Sequence, residues 1–225
     1  MAKKNLKKED EQLQNVGEAI STASQWFEKN QNLLEWILVG VIAVVAGVVA
    51  LSHYVIKPKG LEAANENAKA EAYFLQGDYS KALNGDEADC IGFEQVAADY
   101  GFYQQGKLAA LYAGICYYQL GEYDQAAKFL KKFSAKDLTI DPAASQLLGD
   151  AYVELGEYSK AISAFKAAAK SGNKLIAPMS LKKAGIVYLE MDNKKAAKQA
   201  FETIKAEYPM SQEAQDIDKY IAIAQ

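Results

Sequence analysis

One stretch of this chain returns, in register, further along. Residues 113–130 (AGICYYQLGEYDQAAKFL) laid over 148–165 (LGDAYVELGEYSKAISAF) bring Gly114 onto Gly149, Tyr117 onto Tyr152, Gly121 onto Gly156 and Tyr123 onto Tyr158. Ala126 then meets Ala161, and Leu130 meets Phe165. A third copy follows about thirty-six residues later with Gly185, Tyr188, Ala197, Phe201 and a closing Pro209. An earlier, poorer copy carries Ala70, Tyr73, Gly77, Tyr79 and Ala82. A period in this range makes each unit one supersecondary element, which buries its apolar face only by stacking on its neighbours.

Each unit reads as two helices parted by a short turn at Leu-Gly-Glu-Tyr, residues 120–123 and 155–158. Glycine ends the first helix there because it accepts a left-handed conformation without a Cβ clash. Gly114, Gly149 and Gly185 recur in mid-helix, where glycine costs about 1 kcal/mol against alanine. They are expected to admit the close approach of a neighbouring helix, with Ala126, Ala161 and Ala197 serving that contact from the second helix. Tyr117, Tyr152 and Tyr188 then read as core between helices.

These residues resemble the tetratricopeptide repeat, whose pattern asks for Leu-Gly, Tyr, Gly-x-Tyr, Ala, Phe and a closing Pro. The resemblance spans residues 61–225 and implies an all-α fold, a right-handed superhelix of helix pairs. Its repeats fall at about 61–100, 107–139, 142–174 and 178–210, with a capping helix over 211–225 that places Ala214, Ile217, Tyr220, Ile221 and Ala224 on one face. The third close copy has Asp192-Asn193-Lys194 where its predecessors have Gly-Glu-Tyr, so its turn departs from the pattern. The degenerate first copy carries an inserted loop, residues 84–90, before its second helix resumes at Phe93. Asp86, Glu87 and Asp89 lack the spacing and bidentate glutamate of a calcium loop, and read as a solvated acidic loop.

Ahead of the repeats lies a run of another kind. Residues 36–56 (WILVGVIAVVAGVVALSHYVI) contain no Asp, Glu, Lys or Arg. At ~1.5 Å per residue they reach roughly 31 Å, about the hydrocarbon thickness of a bilayer. Trp36 and Tyr54 suit the two interfaces, and Lys57 and Lys59 stop the run. The run is read as a single transmembrane helix. A cleaved signal peptide stays open at Ala50-Leu51-Ser52, although thirty-five residues precede the run and it exceeds the ~7–15 residues of a signal core. Lys3, Lys4, Lys7, Lys8 and Lys29 precede the span, so the positive-inside rule puts the amino end in the cytoplasm and the repeats outside. Ala43 and Gly47, like Ala46 and Ala50, are four apart and offer a face for close helix packing. Residues 1–35 read as a cytoplasmic amphipathic helical tail. Its stripe of Leu6, Leu13, Ile20, Phe27 and Leu34, with Val16 and Ala23 between, suits a leaflet surface, a protein contact or self-association.

Composition removes several functions. All twenty-five basic residues are lysine, and the net charge is −4, which argues against a nucleic-acid partner. One histidine, His53 inside the apolar run, and two distant cysteines, Cys90 and Cys116, cannot supply a four-ligand zinc site. No pair of groups with catalytic spacing emerges, so neither an enzyme, a cofactor nor a small-molecule substrate is expected. A disulfide between Cys90 and Cys116 is permitted outside the cytoplasm, while Cys116 equally suits a buried free thiol among core residues.

The repeat resemblance implies a concave face lined by the first helix of each pair. The implied groove carries Phe74, Leu108, Leu111, Tyr112, Ile115, Tyr118, Gln146, Asp150, Val153, Lys182, Ile186 and Leu189, and is apolar from Leu108 to Tyr118. Co-chaperones of this fold clamp a C-terminal carboxylate with lysines and asparagines. The corresponding places here hold Leu111, Ile115, Gln146 and Asp150, so that use is not implied. The groove either holds a partner segment or is filled by the chain's own helices. The whole layout looks like the YfgM-type ancillary subunits of the bacterial Sec translocon. That resemblance implies a single-pass inner-membrane protein with a periplasmic repeat domain, and as partners the Sec translocon, periplasmic chaperones and translocating chains. A structural scaffold for a secretion or cell-division complex in the envelope is the alternative.

Overall fold

The computed structural model describes residues 26, 28–86 and 88–225, all helix and turn. The chain divides into two compact units between Ile56 and Lys57. The stripe residues Leu6, Leu13, Val16, Ile20, Ala23 and Phe27 lie outside the described residues. In the first unit, helix α1 (Gln31–Leu51) continues into a π-helical turn, Ser52–Ile56. Pro58 lacks the N–H that would close on the Tyr54 carbonyl, which accounts for irregular winding at this point. Among the described residues one helix is long and apolar enough to cross a membrane, and its apolar window is wholly unburied. Helix α1 starts five residues ahead of the expected span.

The second unit is an array of helix pairs. Its elements are α2 (Lys57–Leu75), α3 (Tyr79–Asn84), α4 (Gly92–Asp99), α5 (Gln104–Gln119), α6 (Tyr123–Leu130), α7 (Ile140–Glu154), α8 (Tyr158–Ala169), α9 (Ile176–Glu190) and α10 (Lys194–Glu207). A 3-10 segment, Gln212–Asp216, and a last helix, α11 (Ile217–Ile223), follow. The pairs are α5 with α6, α7 with α8 and α9 with α10. In the first pair α2 packs on a second helix split into α3 and α4 by the inserted loop. Pro142 and Pro178 sit in the first turns of α7 and α9, where the missing N–H would go unpaired anyway.

The turn inside each pair has one geometry throughout. The Gly121 N–H donates to the Tyr118 carbonyl at 3.1 Å and the Glu122 N–H to that of Tyr117 at 2.9 Å. The same two bonds recur at Gly156 and Glu157, at Gly77 and Asp78, and at Asp192 and Asn193. This is the Schellman closure, which needs a left-handed residue after the helix. Gly121 has φ 80° and Asp192 has φ 54°. The departure in the third copy is therefore absorbed without loss of the turn, since aspartate tolerates the left-handed region better than most side chains.

The mid-helix glycines do what their phase predicts. A Cβ on Gly114 would stand 2.7 Å from Leu130 Cγ, and one on Gly149 or Gly185 would run into the ring of Phe165 or Phe201. Phe165 and Phe201 are fully buried, as are Ala126, Ala161 and Ala197. Tyr117 and Tyr152 are buried too, Tyr117 stacking on Phe129 at 5.4 Å. Two buried clusters make up the core. The larger runs from Ala63 to Val187, and the smaller holds Ala197, Phe201, Ile204, Ile217 and Ala224. Tyr188 packs against both.

The inserted loop is exposed at Ala88 and Asp89, as a solvated acidic loop would be, but it is also internally organised. Asp86 turns inward: its Oδ1 accepts the N–H groups of Ala88, Asp89 and Cys90 at 2.8–3.0 Å, and its Oδ2 accepts the Tyr73 hydroxyl at 2.5 Å. The Tyr73 hydroxyl and then the amides hold this carboxyl well below the usual carboxylate range. Lys69 bridges Glu66 and Asp89 beside it. Glu87 lies outside the described residues.

Candidate functional site

The first helices of successive pairs pack side by side and run the same way. Asn67 Nδ2 donates to the Gln105 carbonyl at 2.8 Å, and one turn on the Tyr112 hydroxyl donates to Glu71 Oε1 at 3.0 Å, joining α2 to α5 in parallel. Farther along, the Ser180 hydroxyl donates to Gln146 Oε1 at 3.1 Å, and Lys183 Nζ donates to both Asp150 oxygens at 2.6 and 2.8 Å. These bonds join α7 to α9 in the same sense. Polar bonds thus fasten α2 to α5 and α7 to α9.

Burial raises the pKa of Asp150 above the usual carboxylate value, against the opposing pull of Lys183. Burial, and then the charges of Asp150 and Glu154, pushes the Tyr118 hydroxyl up. Lysine is therefore the partner that keeps the Asp150 carboxylate tolerable in this setting.

A cleft of about 520 Å³ opens at the far end of the row of first helices. Met179, Lys182, Lys183 and Ile186 of α9 form one wall, and Gln212, Glu213, Gln215 and Asp216 form the other. Lys182 Nζ reaches across to Asp216 Oδ1 at 2.6 Å and lies 4.6 Å from the Tyr220 ring centroid. The expected capping helix is thus two pieces. Ser211 caps the 3-10 segment by accepting the Ala214 N–H, so this segment walls the cleft while α11 buries Ile217.

The residues expected in the groove divide into groups. Leu108, Leu111 and Ile115 are half-buried on α5 and belong to neither core cluster. Carried along by one and then two repeats, their phase falls on Met179, Lys182 and Ile186, which line the cleft. Phe74 and Tyr112 are turned to the interior. Tyr112 stacks on Phe93 at 4.7 Å, and Phe74 meets both rings edge-on. Tyr118 rests edge-on against Tyr123, and Val153 packs on the larger core cluster. Gln146, Asp150 and Lys182 are engaged in the contacts above, and Leu189 packs on the smaller cluster. Ala43, Ala46, Gly47 and Ala50 are exposed on α1, with open space where a Gly47 Cβ would stand.

Met179, Lys183 and the 3-10 wall were not among the expected residues. Repeat phase alone could have supplied the first two, as the equivalents of Leu108 and Tyr112. Cys90 and Cys116 are both buried free thiols, and burial pushes the Cys116 thiol up to about 12. Among the described residues no group of three His, Cys, Asp or Glu is placed to hold a metal ion.

This architecture is an all-α array of tetratricopeptide-type helix pairs. Residues 108–137 and 147–211 each match a family profile described as tetratricopeptide repeat. Among solved structures, the chain is similar to a crystal structure of MamA protein at 22% identity and a TM-score of 0.57, over 72% of this chain and 80% of that one. MamA of AMB-1 matches at 19% identity and a TM-score of 0.54, over 73% and 81%. A Podosopora anserina protein of nearly identical TPR-like repeats matches at 13% identity and a TM-score of 0.55, over 73% and 86%. At these identities the likeness is one of fold. No curated protein matches the chain. Tetratricopeptide repeats imply protein partners, and that is the class of activity the fold defines.

Proposed function

We propose that the chain is a non-enzymatic adaptor of the bacterial inner membrane that holds segments of partner proteins on its concave face at the Sec translocon. In this reading α1 is the anchor, the amino end is cytoplasmic and the repeats lie in the periplasm. The partners are the translocon itself, periplasmic chaperones and translocating chains.

The observation that carries the reading is the row of Leu108, Leu111 and Ile115. These apolar side chains sit at the groove phase, half-covered, outside the core that holds the repeats together. An extended or helical segment gains about 25 cal/mol per Å² of apolar surface buried there, before ordering costs. The translocon contact is assigned to α1, whose Ala43, Ala46, Gly47 and Ala50 allow close helix approach.

The test is site-directed crosslinking in native membranes. Leu111→Ser combined with Ile115→Ser removes client crosslinks at the repeats and leaves the translocon contact. Gly47→Leu does the reverse. A serine double mutant that keeps its far-ultraviolet circular dichroism and every client crosslink sinks the groove assignment. One observation favours a second reading, a scaffold that joins fixed folded partners in a secretion or division complex. The Lys182–Asp216 pair closes one end of the groove with the chain's own residues. Crosslinks confined to folded envelope proteins would favour the scaffold.

A further inference from the structure

The segments that lead from one helix pair to the next each expose one large apolar residue. Phe102 is 82% exposed, Leu138 81%, Leu175 70% and Met210 96%. They recur at nearly the repeat period, so they stand at equivalent points of successive units. Because the first helices run parallel, these segments lie along the edge that holds the amino ends of α5, α7 and α9. Adjacent segments touch: Asn173 Nδ2 donates to the Leu138 carbonyl at 3.4 Å, and a cleft of about 450 Å³ lies between Gly172, Lys174 and residues 207–211. The amino end of α2, where the chain enters this unit at Lys57, belongs to the same edge, with Lys59 Nζ 5.9 Å from the Tyr100 ring centroid.

Unpaired lysines mark this edge. Around Leu138 and Leu175 stand Lys136, Lys170 and Lys174, none with a carboxylate partner within ion-pair distance among the described residues, and Glu207 lines the cleft beside Lys174. The two aspartates nearby are spent on backbone. Asp137 accepts the Thr139 and Ile140 N–H groups, and Asp141 accepts those of Ala135 and Lys136. The opposite edge, at the turns inside the pairs, mixes Glu122, Asp124, Glu154, Glu157, Glu190 and Asp192 with Lys160, Lys194 and Lys195, and Lys160 there is paired with Glu157. Isolated exposed apolar residues need no explanation, but a periodic row of them set among unpaired lysines does.

We propose that this edge rests on an anionic lipid surface, with Leu138 and Leu175 dipping into the headgroup layer and the lysines on lipid phosphates. Lysine suits the role, because its stem lies along apolar surface while its ammonium reaches the phosphates. The inference rests on the anchor reading, since the chain leaves the apolar run at the same edge of the repeats. Without α1 to hold the protein at the bilayer, a row this short would bind weakly. The contact is electrostatic in large part, so it weakens as salt rises.

Both tryptophans precede the repeats, which makes the test direct. Full-length chain carrying Trp26→Phe and Trp36→Phe receives one reporter at a time: Leu138→Trp, Leu175→Trp, or Met191→Trp on the opposite edge. Each is reconstituted into phosphatidylcholine–phosphatidylglycerol vesicles containing brominated lipid, and into pure phosphatidylcholine ones. The expected result is roughly two-fold or stronger quenching at 138 and 175 than at 191, in anionic vesicles only. Replacing Lys136, Lys170 and Lys174 by glutamine then abolishes it. Equal quenching at the two edges overturns the proposal. So does a blue shift at 138 and 175 without lipid quenching, which assigns the edge to a protein partner or a second copy. The two edge reporters are independent, so a fold-disrupting change at one leaves the other. Alkaline extraction of the same vesicles separates the failures. Release of the chain overturns the anchor and the edge proposal together, whereas retention without quenching overturns the edge proposal alone.

Discussion

Gly149→Ala tests the packing principle of the repeats at one atom. In an unhindered helix interior the change would stabilise by about 1 kcal/mol, because alanine loses less backbone entropy than glycine. Here the new Cβ lands on the Phe165 ring and would stand 2.9 Å from its Cζ. That ring is 1% exposed and cannot swing into solvent. Helix and ring must separate, and overpacking of this kind costs about 1–3 kcal/mol. The net expectation is a loss of about 1 kcal/mol, some 2 kcal/mol away from the unhindered case. For a domain of this size that is a melting temperature lowered by roughly 2–4 °C instead of raised by as much. The assay is thermal and urea unfolding of the full chain in detergent, followed by far-ultraviolet circular dichroism, since the repeats contain no tryptophan. Phe165→Leu supplies the partner background. With the ring gone, Gly149→Ala becomes neutral or stabilising, a coupling of about 1–2 kcal/mol between the two sites. If Gly149→Ala raises the melting temperature equally in both backgrounds, the glycine is not there to admit Phe165.

Two further outcomes follow from a hydrogen-bonded carboxylate and from two buried thiols. The pKa of Asp86 is lowered by the Tyr73 hydroxyl and three amides, so its contribution to stability is full above the unfolded carboxylate pKa of about 4 and drains away as pH falls through the lower folded value. The gap in melting temperature between wild type and Asp86→Asn stays constant from neutral pH down to about 4 and closes below it; a gap that widens on acidification contradicts this. Cys116 and Cys90 resist maleimide in the native protein and react fully in denaturant, because both are buried and burial disfavours each thiolate. Rapid native labelling at Cys116 would place it outside the core.

What was legible in the sequence is what repeats. The phase of Gly114, Gly149 and Gly185 against Leu130, Phe165 and Phe201 is a contact made inside each pair, so recurrence reveals it before any coordinates do. The turn at Asp192 was the weakest part of that pattern, yet its backbone bonds are those of the glycine turns, because packing of α9 on α10 dictates the turn and aspartate can follow. Features made once were not legible. Asp86 reads as one more acidic loop residue until Tyr73, thirteen residues earlier, is seen to point at it. Phe74 and Tyr112 have the groove phase, but Phe93 stacks on Tyr112 and draws both inward. The wall at Gln212–Asp216 depends on a 3-10 turn set by Ser211, which a single helical periodicity over 211–225 does not distinguish. Half-buried positions are where long-range geometry decides, and phase alone states only which side of a helix is at stake.

The division of the core has a consequence for how the array behaves as a machine. The 3-10 wall of the cleft is tied to the smaller cluster through Ala214, while the α9 wall shares its helix with the larger one. Tyr188 is the common pin. The 3-10 segment and α11 are therefore expected to open locally, exposing mainly the smaller cluster, at a free energy below that of global unfolding. A ligand gripping both walls would close that opening by mass action, so occupancy and local order rise and fall together. Affinity at this end is then expected to depend on how tightly the smaller cluster packs as well as on the residues that touch the ligand.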